Sequence, residues 1–73
     1  MADLFSKLPW NKKIEVLRTI KGWNQEEAAD KCLTNQKAFW SWEKGITYPR
    51  RVSRQAIARA FDIAEAEIFG GGN

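Results

Sequence analysis

Histidine is absent from the chain, and cysteine occurs once, at Cys32. The first absence removes imidazole both as a metal ligand and as an acid–base group, so zinc-finger chemistry and histidine-activated nucleophiles are excluded. The second leaves no intramolecular disulfide and no thiolate cluster for a metal, and a lone thiol fits a reducing cytosol. Apolar runs extend for only a few residues, too short to span a membrane, and no secretory signal is visible. There is no strand-period alternation, no internal repeat and no convergent set of nucleophile, base and orienting group. The chain therefore reads as a binding module rather than an enzyme, with no cofactor, metal or small-molecule substrate implied.

What is present is a short chain with enough apolar content for one core. Its 73 residues leave room for one domain, and 44% of them are hydrophobic, too many for a disordered segment. A domain this small buries only about 60% of the surface of its unfolded chain, so the core must be compact. The net charge is +3, and its distribution says more than its size. From Lys44 to Phe61 there are five basic residues (Lys44, Arg50, Arg51, Arg54, Arg59) and no acid. Carboxylates gather instead at Glu26, Glu27 and Asp30, and at Asp62, Glu65 and Glu67. Such polarity suits a polyanion on one flank, and it equally describes a solvated surface.

Helical spacing and caps divide the chain into five predicted helices. Residues 1–8 read as a loose arm, 9–69 as the folded domain and 70–73 as a flexible tail. Pro9 is placed to open the first helix, in which Trp10, Ile14 and Leu17 recur at helical spacing, and Gly22 to close it. Asn24 with Glu27 three residues on resembles a capping box and starts a second helix, to about Cys32. Leu33 and Thr34 form a tight turn. Asn35 caps a third helix that ends at Gly45, with Phe39 and Trp42 facing inward. Residues 46–49 form a loop, because Pro49 pushes Tyr48 away from helical geometry. Ser53 is the expected cap of a fourth helix that buries Ile57, Ala60 and Phe61, and Ala64 to Phe69 form a fifth.

The segment NQEEAADKCLTNQKAFWSWEKG, Asn24 to Gly45, resembles the helix-turn-helix of the lambdoid phage repressor and Cro family. Gln25, Glu26, Glu27, Ala29, Lys31, Trp42, Glu43 and Gly45 are the matching landmarks, without a gap. IEVLRTIKG (Ile14 to Gly22) is similar to the family's first helix, and IARAFDIAEAEIF (Ile57 to Phe69) to its closing segment. The resemblance covers residues 14–69 and implies an all-α, lambda-repressor-like domain of five short helices with a central helix-turn-helix.

It also implies roles. The third helix of such a domain enters the major groove while the second crosses the backbone. Gln36, Lys37, Trp40 and Ser41 then occupy the base-reading positions, where glutamine pairs with adenine and lysine donates to guanine. Three roles stay open for Trp40: contact with a thymine methyl or sugar, contact with a protein, or folding back on the domain. Gln25, Asn35, Lys44, Arg50 and Arg51 are the expected phosphate contacts, with Arg54 on the same basic segment. Arg18 and Glu43 match positions that form a buried ion pair, in which losing one partner costs about 3–5 kcal/mol.

Three departures from the pattern carry expectations of their own. Leu33 and Asp62 stand where the family has glycine, and a leucine at positive φ costs on the order of 1 kcal/mol. Ala28 replaces a core leucine, so Trp23 or Phe39 must supply volume. Val16 and Ile20 form an apolar shoulder that the last helix or a second chain is expected to cover. The function implied is a sequence-specific regulator of transcription, most simply a repressor, prokaryotic or phage. It is expected in the bacterial cytoplasm and on double-stranded DNA as a homodimer. The alternative is a helix-turn-helix used for protein contact, of the antitoxin or antirepressor type.

Overall fold

The computed structural model describes residues 3–70, which form six helices and, among the described residues, no strand. These are α1 (Asp3–Ser6), α2 (Trp10–Lys21), α3 (Gln25–Lys31), α4 (Gln36–Lys44), α5 (Arg51–Phe61) and α6 (Glu65–Phe69). The five expected helices correspond to α2 to α6. The sixth, α1, is a single turn within the segment read as a loose arm. Residues 71–73 of the expected tail, and the first two of the arm, lie outside the described residues.

Local chemistry accounts for most boundaries. Pro9 precedes α2 as its N-cap, one position earlier than expected, and Gly22 ends the helix at φ 76°. Asn24 and Glu27 form the capping box in full: the Glu27 amide donates to Asn24 Oδ1 at 2.7 Å and the Asn24 amide to Glu27 Oε1 at 2.9 Å. Asn35 caps α4 by accepting the Ala38 amide at 2.8 Å. Gly45 closes it at φ 75°, where an added Cβ would also meet Asn11 Nδ2 at 3.3 Å.

The start of α5 departs from expectation. Arg50, not Ser53, is the N-cap; it makes no side-chain capping bond, and Ser53 lies inside the helix. Pro49 decides this, because its ring is fully buried and anchors the chain in front of Arg50. Arg54 Nη1 then donates to the Pro49 carbonyl at 3.0 Å, and the Arg54 amide to Arg50 O at 2.8 Å. A buried proline has replaced a hydroxyl cap.

Ile14, Ala28, Ala29, Cys32, Phe39, Trp42, Ile57, Phe61 and Ile68 form one core, with Trp10, Leu17, Trp23 and Phe69 packed around it. In the same core as the small Ala28, Phe39 is fully buried and Trp23 stacks on Phe61 at 5.6 Å between centroids. Burial pushes the Cys32 thiol up to about 12, leaving it a protonated, inert core residue at neutral pH. On the α2 shoulder Val16 is half-buried, whereas Ile20 stays 73% exposed and is left uncovered. The α6 helix is held from another side. Lys13, buried in the first turn of α2, donates through Nζ to the Glu67 carbonyl at 2.8 Å, in the last turn of α6. The same ammonium lies 5.5 Å from the centroid of the Phe5 ring on α1.

Candidate nucleic-acid interface

Two short helices and a four-residue turn, 32–35, build the central feature. Leu33 adopts φ 62° in that turn, the left-handed region that glycine normally fills. Its amide donates to Asp30 O at 3.1 Å and the Thr34 amide to Ala29 O at 2.9 Å, closing α3 as a glycine would. The leucine is tolerated because its side chain is 80% exposed, so only the backbone strain remains.

The position of α4 is set by a polar network on its inner side. Arg18 Nε meets Glu43 Oε2 at 2.5 Å, with Arg18 Nη2 at 3.4 Å from Glu43 Oε1. Gln25 Nε2 donates to Glu43 Oε1 at 2.9 Å, and Asn11 Nδ2 to the Glu43 carbonyl at 3.1 Å. Arg18 Nη1 adds a bond to Trp23 O at 3.0 Å. One buried carboxylate on α4 thus ties α2, the start of α3 and the end of α4 together. Such a group holds geometry more than it adds stability, since each partner must be desolvated. Asn11 was not singled out from the sequence. It stands seven residues before Arg18, on the same stripe of α2 as Ile14, and that spacing was the available signal.

The outer side of α4 is the reverse. Gln36, Lys37, Trp40 and Lys44 are exposed and Ser41 is half-buried. This face carries two lysines and no carboxylate, because the acid of α4 points inward. The Lys44 ammonium lies 5.9 Å from the centroid of the Trp40 ring. Asn35 sits exposed at the start of the same helix with its side-chain oxygen committed to the cap. Gln25 is half-buried at the start of α3. One N–H of its amide goes to Glu43, and the other remains for a ligand.

The basic segment divides into two. Arg50 and Arg51 are exposed at the start of α5. Arg54 turns inward instead: its Nε donates to Glu65 Oε2 at 3.1 Å, and its guanidinium lies 5.3 Å from the Tyr48 ring centroid. It is therefore a structural residue that joins α5 to α6, not a member of the free basic edge. Tyr48 also packs against Trp10 at 5.0 Å and Phe69 at 5.8 Å. With the neighbouring Ile46 and Val52 largely exposed, this makes an aromatic and aliphatic edge. It joins residues from three parts of the chain, which no local pattern reveals.

A compact helical core, a capped helix pair at its centre and a cationic outer face on the second of the pair define a helix-turn-helix protein. The chain is similar to the HTH-type transcriptional activator BcrR of Enterococcus faecalis, 31% identical over 64 residues, 88% of this chain. It spans only 31% of the length of that relative. Among solved structures it resembles the restriction-modification controller protein C.AhdI of Aeromonas hydrophila. There the TM-score is 0.77 and the identity 29%, over 94% of this chain and all of the other. No protein-family model matches the chain.

Proposed function

We propose that this chain is a sequence-specific DNA-binding module of a transcription regulator, which places α4 in the major groove. The observation that carries the reading is the outer face of α4, cationic and free of carboxylates, on a helix whose inner face is locked by Glu43. Similarity to an activator and to a controller protein supports it. Gln36, Lys37, Trp40 and Ser41 read bases. Gln25, Asn35, Lys44, Arg50 and Arg51 hold phosphates, and residues 9–69 are the unit that does so. A site overlapping a promoter makes such a domain a repressor by occlusion, as in the lambdoid repressor and Cro type. The compartment is the cytoplasm of a bacterial cell, the action is binding without catalysis, and two copies sit on one site.

The edge formed by Ile46, Tyr48 and Val52, exposed by 63%, 52% and 76%, supplies the contact between copies. It is small, so the dimer is weak in solution and strengthened on DNA. Random-site DNA selection tests the whole reading: a palindrome with strongly salt-dependent binding is expected, and no enrichment refutes it. The competing reading is a protein-contact module, favoured by the exposed Leu33 and Ile20; it predicts that absence of enrichment.

A further inference from the structure

We propose that Trp40, with Lys44 held over its ring, reads the C5-methyl group of a pyrimidine, thymine first, in the major groove. The inference rests on the DNA-binding reading above and names the feature that one residue recognises.

Trp40 stands in the middle of the outer face, one helical turn after Gln36 and one before Lys44. It keeps 41% of its surface exposed, whereas Trp42 is buried and Trp10 and Trp23 pack against the core. Three of the four tryptophans in the chain thus serve the interior, and the fourth is presented on the face that carries Lys37. An indole has an apolar ring and a single N–H donor, with no acceptor. In an intact duplex the bases offer edges, not faces, so a ring in the groove cannot stack between them as it does on single strands. The major-groove feature that complements an apolar ring edge is the methyl group at C5 of thymine.

Lys44 is the positioning residue. Its ammonium, 5.9 Å from the ring centroid, restrains the indole through the cation–π contact and keeps a phosphate-seeking charge beside it. A methyl contact by Trp40 and a backbone contact by Lys44 therefore form as one unit.

The experiment uses the whole chain and a duplex from the selection described above. Each thymine is replaced singly by deoxyuridine, which removes only the methyl group. At the sensitive position, cytosine is then compared with 5-methylcytosine. One thymine in each half-site is expected to lose about fourfold in affinity as deoxyuridine, the value of one buried methyl group. The same methyl increment is expected between cytosine and 5-methylcytosine. Trp40→Ala should abolish the increment, and Trp40→Phe, which keeps an aromatic ring at this partly covered position, should retain it. Lys44→Ala should reduce the increment and also flatten the salt dependence, which a purely structural role would not do. Equal deoxyuridine sensitivity in the parent and Trp40→Ala, or no sensitive position in the parent, overturns the inference and leaves the DNA-binding reading standing. Failure to select any duplex overturns both.

Discussion

The two faces of α4 are made from neighbouring residues and have opposite characters. On the inner face Phe39 and Trp42 are buried, and Glu43 is met by Arg18, Gln25 and Asn11. On the outer face the side chains of Gln36 and Lys37 make no hydrogen bond or ion pair with any described residue, and the Lys44 ammonium lies over the Trp40 ring. A fully partnered inner face fixes where the helix lies, and an unpartnered outer face leaves its donors for a ligand. Recognition benefits from this division, because side chains mounted on a rigid element lose less freedom on binding.

Glu43→Ala gives the sharpest break between the faces. It leaves the partly buried Arg18 guanidinium without its carboxylate, so stability should fall by about 3 kcal/mol, the lower end of the cost of breaking a buried pair. Chemical denaturation measures this, and a loss below 1 kcal/mol, taking ~1 as the value of an exposed pair, would mean the inner face is not what holds α4. Lys37→Ala should do the reverse. Melting should not change, while affinity for the preferred site falls by about 1–3 kcal/mol, concentrated at one base position. Binding across single-base variants checks it; an even loss over all sequences would make Lys37 a phosphate contact.

Leu33→Gly probes the turn between α3 and α4. At φ 62° and with its side chain in solvent, replacement by glycine should raise stability by on the order of 1 kcal/mol without altering base preference. A changed base preference would show that the leucine also sets the tilt of α4. The smallest effects separate the two arginines of the basic segment. Arg50→Ala should flatten the salt dependence of DNA binding by about one unit at unchanged stability. Arg54→Ala, which loses Glu65 and the Pro49 carbonyl, should lower the melting temperature and leave the slope alone. Identical slopes for the parent and Arg50→Ala would remove Arg50 from the phosphate contacts.

Features visible in the sequence were those in which a residue acts on its near neighbours. Asn24 with Glu27, Asn35 with Ala38, and the left-handed closures at Gly22 and Gly45 each lie within a few residues, where backbone geometry alone restricts the outcome. The inward pair Phe39 and Trp42 followed from helical period in the same way. Resemblance to a known pattern extended this reach to one distant pair, Arg18 with Glu43, whose geometry has no local signal.

Tertiary structure decided whatever depends on long-range neighbours. The Lys13 ammonium meets a carbonyl 54 positions away, so a residue that reads as one more surface lysine becomes a buried tie between α2 and α6. Arg54 reads like Arg50 and Arg51 until α6 brings Glu65 beside it. Ser53 has the chemistry of a cap, but burial of Pro49 starts the helix earlier and places the hydroxyl inside it. Local hydrogen bonds and steric limits are written into adjacent residues. Desolvation and charge pairing belong to whichever surfaces the folded chain brings together, and these are known only once it has folded.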